Sequence, residues 1–106
     1  MTKPLRFDDE AVEEFEVAAD WYEVQRRNLG IEFVTAVRGA LERVAENLQA
    51  WPLVSDVPER LHVRRFLLRR FPYSIVFLER EDEIRVLAIA HGSREPGYWG
   101  KRLQTR

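Results

Sequence analysis

The segment from His91 to Trp99 places an imidazole, the guanidinium of Arg94, the phenol of Tyr98 and the indole of Trp99 in one short run. A titratable ring can move a proton, a guanidinium can hold a phosphate, and aromatic rings can stack on bases. Upstream, Arg64, Arg65, Arg69 and Arg70 lie close together. Fifteen of the seventeen basic residues are arginine, the side chain suited to planar, bidentate recognition of phosphate or carboxylate. His91, Arg94, Tyr98 and Trp99 could together stack a base and stabilise a phosphoryl transition state. Arg65, Arg69, Arg70, Trp21 and Trp99 could bind an anionic or apolar partner. Structural roles compete at each position: strand arginines pair with helix carboxylates, His91 acts as a hydrogen-bonder at a strand end, Trp99 and Tyr98 plug a sheet face, and Trp21 packs between helices.

Other chemistries are excluded. There is no cysteine, hence no disulfide, thiol nucleophile or cysteine zinc site. His62 and His91 are far apart and lack ligand-spaced carboxylates, so no metal and no cofactor are expected. Gly92 to Gly97 has the glycine spacing of a phosphate loop, but Tyr98 and Trp99 stand where lysine and a hydroxyl residue are needed. Ser93 beside His91 has no third member of a triad.

These residues must be positioned by a chain of 106 residues, room for one domain spanning 1–106. The net charge of -1 hides an asymmetry. Residues 1–59 hold 13 acids and 6 bases, net -7, and residues 60–106 hold 5 acids and 11 bases, net +6. The cationic half implies an anionic partner or the acidic half of the same molecule. With 45% hydrophobic residues a packed core is expected. No apolar run is long enough for a membrane span or leader, so a cytoplasmic protein is expected, with no membrane partner.

Residues 4–7 read as a short strand. Asp8 then caps a helix, with Phe7 and Val12 at the spacing of a hydrophobic staple. Val12, Phe15, Ala19 and Tyr22 form its buried stripe. Glu13, Glu16, Asp20 and Glu23 line an adjacent face, and Val17, Trp21 and Val24 a third. Asn28-Leu29-Gly30 reads as a helix stop with glycine at a left-handed cap and an immediate restart. Val34, Val37, Leu41, Val44 and Leu48 define the second helix, antiparallel to the first. Gly39 inside it costs about 1 kcal/mol relative to alanine and suggests close approach of another backbone. After Trp51-Pro52 the period changes to two: residues 61–68, 73–80 and 84–90 read as strands, the last two apolar on both faces. The helices cover one face of that sheet; the C-terminal tail or a second protein must cover the other. The class is α+β, a short N-terminal strand, a two-helix hairpin and a three-stranded antiparallel meander, β-α-α-β-β-β.

Trp21-Tyr22-Glu23, Leu29-Gly30, residues 63–77 (VRRFLLRRFPYSIVF) and residues 86–99 (VLAIAHGSREPGYW), in that order, resemble the RelE/ParE superfamily of small toxins from type II toxin–antitoxin, or plasmid-stabilisation, modules. The resemblance runs from about Phe7 to Trp99 and implies the same β-α-α-β-β-β fold. It implies a growth-inhibiting toxin held inactive by a cognate antitoxin whose extended or helical tail wraps across it, with a homodimer open. It also implies one of two targets. RelE-like members cut mRNA in the ribosomal A site without metal, using Lys, Arg and a late Tyr or His; ParE-like members inhibit DNA gyrase by binding. The paired helices joined at Leu29-Gly30 look more like the ParE form, and the half that forms the sheet has no lysine before Lys101. Arg64, His91, Arg94 and Tyr98 keep the nuclease alternative open, and a relative without toxicity is the third reading.

Overall fold

A computed structural model describes residues 3–104. The elements are β1 (Leu5–Phe7), α1 (Asp9–Gln25), α2 (Leu29–Glu46), β2 (Val63–Leu67), β3 (Tyr73–Glu79) and β4 (Ile84–His91). Short 3-10 turns occupy Leu48–Ala50 and Glu59–Leu61, and a longer one, Tyr98–Gln104, forms a C-terminal strap. The four strands make one mixed sheet in the order β1-β4-β3-β2. The meander β2-β3-β4 is antiparallel, and β1 adds to β4 in parallel, with Phe7 opposite Val86. The α+β architecture matches the periodicity.

The core has two parts because the sheet is covered twice. On the helix side Phe33, Val37 and Val44 of α2 and Tyr22 of α1 meet Phe66, Phe71, Ile75, Phe77, Val86 and Ile89. On the other side Val63, Val76, Leu87 and Ala88 lie beneath Trp99 of the strap and Val54 of the loop before β2. The second sheet face thus meets the chain's own tail. In the ladder Val76 faces Ala88 and Phe77 faces Val86, leaving Leu87 unopposed. This bulge reverses the facing of β4 midway, so Val86 and Ile89 serve the helix side while Leu87 and Ala88 serve the strap side.

Several local expectations are corrected. α1 buries Ala11, Ala18 and Tyr22, with Phe15 half-buried, whereas Val12 is exposed. Small alanines let the helix lie close on β4, which rotates its apolar stripe by one position. Asp8 stands at the N-cap but its side chain does not cap; it turns to Arg85 instead. The left-handed residue at the helix junction is Asn28 (φ 72°), a residue that tolerates this region. Gly30 is the second residue of α2, where a Cβ would stand 2.7 Å from the carbonyl oxygen of Ala19. Its hydrogen is what allows the two helices to touch. At Gly39 no atom lies within 4 Å of a Cβ, so no backbone of this chain approaches it.

Candidate interaction site

β3, β4 and the strap bring part of the candidate set together. Arg65, Ser74, His91, Arg94 and Tyr98 line one cleft at the C-terminal end of β4. The Nδ1 of His91 accepts from the backbone N–H of Ser93 at 2.9 Å, with the Ser93 hydroxyl 2.8 Å away. A ring nitrogen that accepts from an amide carries no proton, so neutral His91 keeps its hydrogen on Nε2. The ring meets Tyr73 edge-on, 5.0 Å between centroids. The Arg94 guanidinium lies 3.8 Å over the Tyr98 ring, a cation–π contact.

Tyr98 is committed elsewhere. Its hydroxyl donates to Glu14 Oε2 at 2.5 Å. Burial first, then this hydrogen bond and the Glu14 charge, push its pKa well above the usual tyrosine value, so the phenol stays protonated. Glu14 is the hub of the site. It also accepts from both terminal nitrogens of Arg102 at 3.0 Å and from the backbone N–H of Ile89 at 3.0 Å. Arg102 donates as well to the Leu87 carbonyl at 2.8 Å. Burial pulls the Arg102 pKa down, but the hydrogen bond and charge of Glu14 outweigh it and leave it raised. One carboxylate of α1 therefore ties the strap to β4.

The remaining candidates separate. Arg64 faces the opposite side of β2 from Arg65, and its Nη1 donates to the Trp51 carbonyl at 2.6 Å. The four-residue nuclease set is not assembled: side chains alternate across a strand, and the pleat sends neighbours 64 and 65 to different faces. Trp99 is only 3% exposed and is the residue of the strap that plugs the second sheet face. Arg69 and Arg70 sit in the turn between β2 and β3, at the same end of the sheet as His91 but on its helix side, beside α2. Arg70 pairs with Glu32 and lies 5.1 Å over the Phe71 ring. Hydrogen bonds from Arg70, then Arg26, hold the Glu32 carboxyl below its ordinary range. Trp21 is 57% exposed and continuous with exposed Val17 and Val24, an apolar strip along the outer side of α1.

Two further residues, Glu14 and Arg85, hold the site together. Glu14 carried no pattern beyond its place among other acids. Arg85 did carry a signal, being the one charge inside the apolar run of β4, where burial on both faces demands a partner. It is fully buried and bidentate to buried Asp8, with Nε–Oδ1 and Nη2–Oδ2 both 2.8 Å, and it also donates to the Arg102 carbonyl. Among the described residues no group of three or more acids and histidines is placed to hold a metal, and no helix is long and apolar enough to cross a membrane.

The architecture matches a fold already solved. A chain from "Chromosomal ParDE TA system from P. aeruginosa" superposes with a TM-score of 0.73 over 85% of this chain and 96% of that one, at 22% identity. No curated protein matches the sequence. A family model, "ParE toxin of type II toxin-antitoxin system, parDE", matches residues 5–96, and the chain belongs to this ParE toxin family.

Proposed function

We propose that the protein arrests growth by binding DNA gyrase in the cytoplasm, without cutting RNA, and that a cognate antitoxin neutralises it. The observation that carries the binding reading is the separation of Arg64 from His91, Arg94 and Tyr98. Metal-free RNA cleavage needs a base for the attacking hydroxyl, an acid for the leaving oxygen and cations around the phosphate. The cleft sets one imidazole, Arg65 and Arg94 beside the carboxylates Asp56 and Glu95, whose charge opposes a phosphate, while Arg64 is held on the other face by Trp51 and the Tyr98 phenol is held by Glu14. Gyrase as the target follows from the resemblance to ParE-like toxins, and family membership supports it.

The test is induction in a bacterial host with DNA and protein synthesis labelled separately. DNA synthesis stops first, and the purified chain inhibits gyrase supercoiling while leaving mRNA intact in a translating extract. Translation stopping first, with A-site cuts that vanish in Arg94→Ala while the fold persists, would overturn the reading. Unimpaired growth with a folded chain would overturn it in favour of a non-toxic relative. Co-expression of a protein that restores growth and co-purifies with the chain identifies the antitoxin.

A further inference from the structure

The outer side of α1 carries an apolar line that the fold leaves uncovered. Val17, Trp21 and Val24 recur at i, i+4 and i+7, so they follow one helix face for about 10 Å. They are 61%, 57% and 83% exposed. Scattered apolar side chains on a surface need no explanation, but three in a continuous line with a tryptophan at the centre mark a contact. The indole meets the ring of buried Tyr22 edge-on at 5.2 Å, which orients it without covering it. Tryptophan offers a large contact area and is enriched among the few residues that dominate binding.

The flanks decide the chemistry of what covers the line. Asp9, Glu13, Glu16 and Asp20 follow at steps of four, three and four along one flank, and all four are exposed. None of them makes an ion pair among the described residues, although the sheet and strap are rich in arginine. Each neighbouring pair of like charges destabilises the helix, and nothing in the described chain relieves it. On the other flank Val17 reaches a pocket of about 130 Å³ that it lines with Tyr73, His91 and Arg94. A ridge of carboxylates beside the apolar line repels a phosphate backbone and an anionic membrane surface alike. It suits a protein surface that offers an apolar pocket with lysines or arginines beside it.

We propose that the outer face of α1 is the surface through which the chain grips its target protein, and that the target presents a basic patch around an apolar pocket that receives Trp21. The proposal rests on the toxin reading for the existence of a target, and on gyrase only as the target to assay first. The acids of α1 then serve binding at the expense of the helix that carries them.

The test compares the full chain with three variants in two readouts: inhibition of gyrase supercoiling by purified protein, and growth arrest on induction at equal expression. Trp21→Ala should raise the half-inhibitory concentration about tenfold or more and abolish arrest, with circular dichroism unchanged. Glu13→Gln/Glu16→Gln/Asp20→Asn should weaken inhibition as well, yet melt at the wild-type temperature or higher, an opposition that a structural role would not produce. Wild-type inhibition should fall as salt rises, and the neutralised variant should lose most of that dependence. Leu61→Ala, a truncation at a separate exposed site, should behave as wild type. Trp21→Ala or the neutralised variant inhibiting as wild type overturns the proposal and leaves the toxin reading intact. So does concentration-dependent self-association that Trp21→Ala abolishes, which would assign the face to a second copy of the chain. If wild type arrests growth without inhibiting gyrase, the gyrase reading fails and the same variants, scored by arrest alone, decide the surface. A wild-type chain that does neither overturns both.

Discussion

Breaking the Asp8–Arg85 pair tests the structure most severely. Both side chains are wholly buried, and they exchange two hydrogen bonds of 2.8 Å between the start of α1 and β4. Asp8→Ala leaves a guanidinium in the interior, and Arg85→Met leaves a carboxylate. Removing one partner of a buried pair costs about 3–5 kcal/mol because the survivor remains desolvated. A domain of this size has only about 5–15 kcal/mol in total, so each single variant should lie near the edge of folding. Loss of helix capping adds little, since the Asp8 side chain makes no cap and its backbone bonds to Ala11, Val12 and Val86 survive. The double variant Asp8→Ala/Arg85→Met buries no charge and should cost no more than either single change, a coupling of about 3 kcal/mol or more. Urea unfolding followed by far-ultraviolet circular dichroism gives the four stabilities, with an unchanged m-value as the check on two-state behaviour. Two single variants that each cost under about 1 kcal/mol and add in the double would rule out a coupled buried pair, because additivity means the charges do not feel each other.

Three further outcomes are expected. Gly39→Ala should stabilise the chain by up to about 1 kcal/mol, having open space and a better helix former, whereas Gly30→Ala should destabilise it by about 1–3 kcal/mol through its clash with the Ala19 carbonyl; paired thermal melts decide. Glu14→Ala removes the acceptor shared by Tyr98, Arg102 and Ile89, and should cost about 2–4 kcal/mol and expose amides 98–104 to hydrogen exchange before the helices open. All three tyrosines are raised above the usual 10.0, each chiefly by burial, so their protonated form is favoured in the folded chain. The associated stability is complete below pH 10 and is lost as pH rises from there through the folded values. Phenolate absorbance should therefore appear only above pH 10 and together with alkaline unfolding; phenolate signal in a folded chain at pH 10 would contradict the burial of Tyr22, Tyr73 and Tyr98.

Local pattern was enough to reveal the order of elements. The 3.6-residue recurrence of Val37, Leu41 and Val44 and the change to period two after Trp51 follow from which side chains can share a helix or strand face, and both survive folding. The charge asymmetry of the two halves is likewise a property of the sequence itself. Apolar residues on both sides of β3 and β4 required two covers, and Trp99 in the tail was available as one. Tertiary structure decided which residues meet. Arg65, His91, Arg94 and Tyr98 share a cleft while Arg64 does not, because one residue of pleat reverses a side chain's direction and only strand pairing sets which face holds the strap. The parallel pairing of β1 with β4 and the bidentate grip of Asp8 on Arg85 join positions more than seventy residues apart, and the bulge at Leu87 is set by the pairing of β3 with β4. No local period encodes such contacts; they arise when burial forces a charge to find its partner and a small residue to find its neighbour. Gly30 found that neighbour in the Ala19 carbonyl, and Gly39 found none within its own chain.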